Sequence, residues 1–209
     1  GALTEVTELA GQKLADLVLV NDKDQTYAKL RFDDRSIATM KSHLGSLDDS
    51  LARGLVWASL WDSCRDGELS TSDYLTIALN ALADESDISI VTMTITQLDT
   101  AIWQYSDPSK RQGLRLTLAN AMEKFLDGAK PGSDHQLQFA KAFADAAVTP
   151  EQNERIKSVL GGSVSGLAID ADLRWYLFIC AIKRGVLGAS DIDAELARDN
   201  TAHGKQNAA

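Results

Sequence analysis

Residues 88–105 read Ile88-Ser-Ile-Val-Thr-Met-Thr-Ile-Thr-Gln-Leu-Asp-Thr-Ala-Ile-Trp-Gln-Tyr105, and two periodicities compete in them. The β-branched residues favour a strand. Val91, Ile95, Leu98 and Ile102 recur in steps of four, three and four, which keeps one apolar stripe on a helix. A strand of this length would far exceed the usual run of about five to six residues. The spacing therefore predicts a helix.

The same rhythm continues downstream. Asp107-Pro108 opens a helix with proline near its first position, and Leu114, Leu118, Met122 and Phe125 form its stripe. Lys130-Pro131-Gly132-Ser133 is a break. Leu137, Ala140, Phe143 and Ala147 follow. Thr149-Pro150 then starts a helix that ends at Gly161-Gly162. Asp170 or Asp172 begins an apolar helix through Leu173, Leu177 and Cys180. Ser190-Asp191 should cap the next, with Ile192, Leu196 and Ala197 inward. Residues 199–209 lose the pattern and read as a frayed or cut end.

Upstream, caps also precede each apolar run. Asp33 or Asp34 precedes Ile37, Met40 and Leu44; Asp48-Asp49 precedes Leu51, Leu55, Leu60 and Trp61; Ser70 precedes Tyr74, Ile77 and Leu82. An Asp or Ser side chain just before a helix accepts from its open N–H groups. The first thirty residues differ. Leu17-Val-Leu-Val20, a polar turn at Asn21-Asp22-Lys23-Asp24, and an alternating Thr26-to-Phe32 run predict a β-hairpin. Two strands alone are marginal, so this hairpin should need partners.

About nine helices on short connections, one pair every roughly 35–45 positions, suit an α-solenoid of antiparallel pairs, HEAT or armadillo-like. A compact helical bundle is the alternative architecture. The expected fold is thus all-α, with residues 1–32 a hairpin at the end of a β-sandwich and residues 33–209 a helical-repeat domain.

Composition narrows function mainly by exclusion. The chain has 209 residues and a formal net charge of −9. An acidic chain gets no electrostatic grip on nucleic acid or an anionic membrane. No apolar run approaches the roughly 20 residues of a membrane span. Cys64 and Cys180 sit on apolar helix faces 116 positions apart. They read as buried core thiols, and a reducing cytoplasm is the expected compartment. His43, His135 and His203 are too dispersed for a helical zinc pair. Phosphate loops, dinucleotide fingerprints, nucleophile elbows and calcium loops are missing from the sequence.

Three features have both a bland and a sharper reading. The carboxylate clusters Asp33-Asp34, Asp48-Asp49, Asp84-Glu85-x-Asp87 and Asp170-x-Asp172 each fall where a helix is expected to begin, which favours capping over acid–base catalysis. Trp57, Trp61, Trp103 and Trp175 should pack between helices, with a peptide-contacting groove as the alternative. Residues 51–100 carry eight acidic and two basic side chains, a net of −6. That reads as a solvated face, or as the lining of a cavity for cationic ligands.

Leu17-Val-Leu-Val-Asn-Asp-Lys-Asp-Gln-Thr-Tyr-Ala-Lys-Leu-Arg-Phe-Asp33 resembles a junction late in aminopeptidase N enzymes of the actinobacterial type, which are gluzincin zinc peptidases. Leu55-Val-Trp-Ala-Ser-Leu-Trp-Asp62, Asp170-Ala-Asp-Leu-Arg-Trp175 and Asp191-Ile-Asp-Ala-Glu-Leu-Ala-Arg-Asp-Asn-Thr-Ala202 resemble the same family. The resemblance implies the last strands of a β-sandwich plus most of a C-terminal helical domain, stopping before that domain is complete. The family's His-Glu-x-x-His zinc motif and its Gly-x-Met-Glu-Asn segment are both missing. Accordingly no catalytic, cofactor-binding or metal-binding residue is assigned to this chain; zinc belongs to the parent's catalytic domain.

The resemblance implies a non-catalytic domain that caps the catalytic cleft and controls peptide access. Its partners would be the catalytic domain of the same polypeptide and peptide substrates. The competing readings are a free-standing helical scaffold for peptides or proteins, and a small helical enzyme with an unrecognised site.

Overall fold

The computed structural model describes residues 4–209. Ten α-helices follow one another among them: α1 (Asp34–His43), α2 (Ser50–Arg65), α3 (Thr71–Ala81), α4 (Ile88–Thr100), α5 (Arg111–Gly128), α6 (Asp134–Ala146), α7 (Pro150–Leu160), α8 (Ala171–Lys183), α9 (Ala189–Arg198) and α10 (Ala202–Ala208).

Most of them begin where a side chain satisfies the free N–H groups of the first turn. Asp33 accepts from Ser36 N at 2.8 Å, Asp49 from Leu51 N at 2.8 Å, Asp87 from Ser89 N at 2.9 Å and Asp170 from Leu173 N at 2.8 Å. Thr149 and Gln152 form a reciprocal capping box at α7. Asp33, Asp49, Asp87 and Asp170 are therefore helix caps, while Asp84 lies in the turn after α3 and Glu85 is buried against Arg53.

Residues 88–105 are helical, and Val91, Leu98 and Ile102 are buried on the side that the stripe faces. The last turn, Ala101–Tyr105, widens into a π-helix. It keeps Ala101 and Ile102 in the core and turns Trp103 and Tyr105 outward.

The helices stack in two layers. Helices α2, α4, α6 and α8 lie side by side in one, and α1, α3 and α5 in the other. Helix α7 extends the second layer through Gln152 to Asn120 at 2.8 Å and Arg155 to Asp127 at 2.6 Å. Between the layers runs one continuous core, with Trp57, Tyr74, Phe143, Met40 and Met122 among its fully buried side chains. This is a solenoid-like helical repeat, as the spacing predicts.

The expected hairpin over residues 15–32 does not form; no residue of 4–209 is in a strand. Residues 1–3 of that expected N-terminal unit lie outside the described residues. The polar turn is present, with Asn21 in the left-handed region at φ 60° and its side chain bonded to both N and O of Thr26 at 2.7 Å. The flanking segments then take different partners. Val18 N donates to Ser36 Oγ at 3.2 Å, while Lys29 reaches Asp66 at 2.8 Å and Arg31 pairs with Asp66 and Glu68. The alternation persists as single residues, with Leu30 buried and Leu17, Leu19 and Phe32 packed on the helical core. Two short segments with one shared face gain more from that body than from a lone ladder.

Two further differences lie at the far end. Helix α9 begins at Ala189 after Gly188, whose N–H donates to Asp191 at 2.8 Å, so Ser190 is not the cap. Its buried residue is Glu195, paired with Arg174 at 2.5 Å; Ile192 and Leu196 are half-buried and Ala197 is exposed. Residues 202–208, expected to fray, form α10. Thr201 caps it, accepting from Gly204 N at 3.0 Å, and Asp199 accepts from the buried Trp175 indole at 2.7 Å.

Several carboxyls are held below the ordinary carboxylate range. The Ser36 N–H does this to Asp33, Lys29 to Asp66, Lys41 to Asp73, the Ser109 N–H to Asp107 and the Trp175 indole to Asp199. A lowered folded value gives stability that is complete above the unfolded pKa and is lost as pH falls through the folded one. Asp99, raised by burial, acts in the opposite sense. The urea midpoint should therefore fall between about pH 5 and about pH 2. A midpoint that is flat or rises over that interval contradicts this account.

Candidate functional site

Helices α4, α6 and α8 leave a groove of about 260 Å³ on their shared layer, floored by Leu118. Thr92, Thr96 and Asp99 come from α4, Lys141 and Asp145 from α6, and Tyr176 from α8. Their recurrence at helical spacing puts each set on one face.

Asp145 is the hub. It accepts from the Tyr176 hydroxyl, and from the Cys180 thiol at 3.4 Å. The Lys141 ammonium stands 5.4 Å from the centre of the Tyr176 ring. Asp99 faces Arg115 at 3.7 Å. Burial pushes the Cys180 thiol up to about 12, with the Asp145 charge adding to it, and drives the Tyr176 phenol well above its ordinary value. Burial also raises Asp99, against the pull of Arg115. Phenol and thiol stay protonated at neutral pH and act as hydrogen-bond donors. A nucleophilic thiolate is unavailable here.

The acidic window disperses in three dimensions. Asp66 and Glu68 are neutralised from the N-terminal segment, Asp73 by Lys41, Glu85 by Arg53 and Asp62 by Arg65. The tryptophans separate as well. Trp57 and Trp175 are buried, and Trp61 is half-buried against Tyr74 and Tyr105. Trp103 is 47% exposed. Cys64 and Cys180 are free and buried.

The histidines belong to three elements. His43 Nδ1 lies 2.8 Å from Ser42 Oγ, His135 Nε2 lies 2.8 Å from the Glu85 carbonyl, and His203 sits 3.4 Å from Asp172. Among the described residues no three His, Cys, Asp or Glu side chains gather as a metal site would need.

Sequence reading assigned no site residues; the structure brings Asp99, Asp145 and Tyr176 together in the groove. They come from three helices, and no local motif links them.

A family model described as the ERAP1-like C-terminal domain matches residues 17–209. Aminopeptidase N of Streptomyces lividans is 43% identical over 211 residues. That match covers 100% of this chain and 25% of the relative, so the chain spans about a quarter of the relative's length.

Proposed function

This chain belongs to the ERAP1-like C-terminal domain family, and we propose that it works as the non-catalytic helical domain of a longer aminopeptidase. It would cover a catalytic cleft built by other segments and control which peptides enter. The observation that carries this reading is the match of the whole chain to a quarter of an aminopeptidase N.

Zinc fits that reading only outside this chain, since the described residues gather no ligand set. A zinc ion in the parent's catalytic domain would activate the attacking water, and no step of that reaction is assigned to residues here. Residues 1–32 would be the end of the preceding β-sandwich, whose strands would cover the exposed Val18, Val20 and Tyr27. The groove over Asp145 and Tyr176 would supply donors, acceptors and a cation for peptide groups. The two free, buried thiols agree with a cytoplasmic setting.

Purified chain should hydrolyse no aminoacyl-anilide and hold no stoichiometric zinc; either activity or bound metal in the pure protein overturns the reading. In the longer polypeptide, deleting this segment should change the ratio of long-peptide to aminoacyl-anilide turnover. An unchanged ratio removes the role in access.

A further inference from the structure

Val186 and Leu187, just after α8, still pack on the inter-layer core. No residue beyond them belongs to that core or packs against it. Glu195 is the one buried residue of α9 and Gly204 the one buried residue of α10, while Ile192 and Leu196 are half-buried. A helical pair that buries so little apolar surface gains little from the hydrophobic effect and must be held by other means.

The hold is polar, and all of it falls on the first two turns of α8. Glu195 accepts from Arg174 Nε and Nη2, both at 2.5 Å. Asp199 accepts from the Trp175 indole at 2.7 Å and from the hydroxyl of Thr201, the cap of α10, also at 2.7 Å. His203 stands 3.4 Å from Asp172. Among the described residues no other hydrogen bond or ion pair joins residues 188–209 to the rest of the chain. A gap of about 210 Å³ remains at this joint, lined by Ile169, Arg174, Arg198 and Asp199 among others.

Helix α8 therefore buries two faces. Leu173, Leu177, Cys180 and Ala181 enter the inter-layer core. Arg174, Trp175 and Phe178 share another face by their spacing; Trp175 and Phe178 meet edge to face at 5.6 Å, buried but outside that core. The chain changes bodies between the two faces. Gly185, at φ 68°, closes α8, with Val186 N donating to the Ala181 carbonyl at 3.0 Å. The next N–H to be bonded in sequence is that of Gly188, and its acceptor is Asp191 of α9 at 2.8 Å.

We propose that residues 188–209 are a hinged flap, which lifts from α8 as one body, turning at Gly188, and uncovers Trp175 and Phe178 while residues up to Leu187 keep their fold. Lifting returns the Glu195 and Asp199 carboxylates to water, and their hydration offsets much of what the links supplied. Little apolar surface of the flap itself is lost, so it opens at a free energy well below that of the whole stack. The aromatic pair, wetted in the open state, keeps the closed state dominant. The inference stands independently of the capping role.

Hydrogen exchange of the full chain, followed amide by amide, tests it. The Asp199 N–H, bonded to the Glu195 carbonyl at 2.9 Å in α9, and the Lys205 N–H, bonded to the Thr201 carbonyl at 3.0 Å in α10, should show one shared protection factor. It should be about a hundredfold or more below that of α8. Glu195→Gln, which keeps the shape and removes the charge facing Arg174, should lower protection in α9 and α10 together by about tenfold and leave α5 and α6 unchanged. Gly204→Ala reaches the same joint without touching the ion pair: Gly204 lies so close to Asp199 that a β-carbon would collide with its carbonyl oxygen. It too should loosen both helices, and tryptophan emission should shift to the red as Trp175 enters water. The proposal fails if α9 is protected as strongly as α8, if α10 opens while α9 does not, or if both variants leave α9 unchanged. The wild-type profile decides between these outcomes even where a variant does not fold.

Discussion

Replacing Arg53 with methionine is expected to cost about 3–5 kcal/mol of folding stability, the range for breaking a buried ion pair from one side. The Arg53 and Glu85 side chains are 9% and 2% exposed. Arg53 Nε lies 3.0 Å and 3.1 Å from the two Glu85 oxygens, and Nη2 lies 2.9 Å from Oε1. The same guanidinium donates to the Leu47 carbonyl at 2.6 Å and the Asp48 carbonyl at 3.0 Å. One side chain thus ties α2 to the turns before α2 and α4. Glu85 in turn accepts from Asp87 N at 3.0 Å, and its carbonyl meets His135 of α6 at 2.8 Å. Methionine keeps much of the packing and strands the carboxylate. Replacing Glu85 by leucine in the same chain should recover a large part of the loss, since an apolar pair no longer leaves a charge alone. Urea unfolding of both single variants and the double variant measures this as a cycle. An Arg53→Met loss below about 1 kcal/mol, within the range of exposed pairs, would show that the ion pair does not support the fold.

Trp57→Ala should cost a similar amount, about 3–5 kcal/mol, through lost burial and the cavity left behind. Trp57 is 0% exposed at the centre of the inter-layer core. Its indole Nε1 is buried with no hydrogen-bond partner among the described residues. Trp57→Phe, which removes that unpaired N–H along with some volume, should therefore cost markedly less than alanine. Trp61, one turn further along α2, packs its edge on Tyr105 and remains half in water. Trp61→Ala should accordingly cost less than Trp57→Ala. Equal losses at the two positions would mean that the exposed side of Trp61 is covered in solution.

The two tryptophans illustrate what could be read in advance. Both stand four residues apart on one apolar stripe, and the stripe alone ranks them equally. Their separation is tertiary: Trp57 is fully enclosed in the core, while Trp61 rests on Tyr74 and Tyr105 with one side in water. The hairpin expected over residues 15–32 shows the same limit: the alternation over Thr26–Phe32 puts Ala28, Leu30 and Phe32 on one face, and Leu30 and Phe32 do pack inward while Ala28 is exposed. Whether alternating segments pair depends on what lies beside them, and here a helical body offers sockets instead of a sheet. The Arg53–Glu85 pair and the Asp145 hub join residues about 30 positions apart, and such pairs leave no trace in local spacing.

Helix starts were legible because a cap acts over three residues: Asp33, Asp49, Asp87, Thr149 and Asp170 declare themselves next to their own N–H groups. The helical reading of residues 88–105 was legible because a stripe repeated every three to four residues can be buried only by a coil of that pitch. By itself, then, the sequence determined an all-helical repeat. Tertiary packing decided which aromatic became core and which carboxylate became buried and paired. Those outcomes depend on distances between separate helices, and desolvation acts on whatever the completed stack encloses.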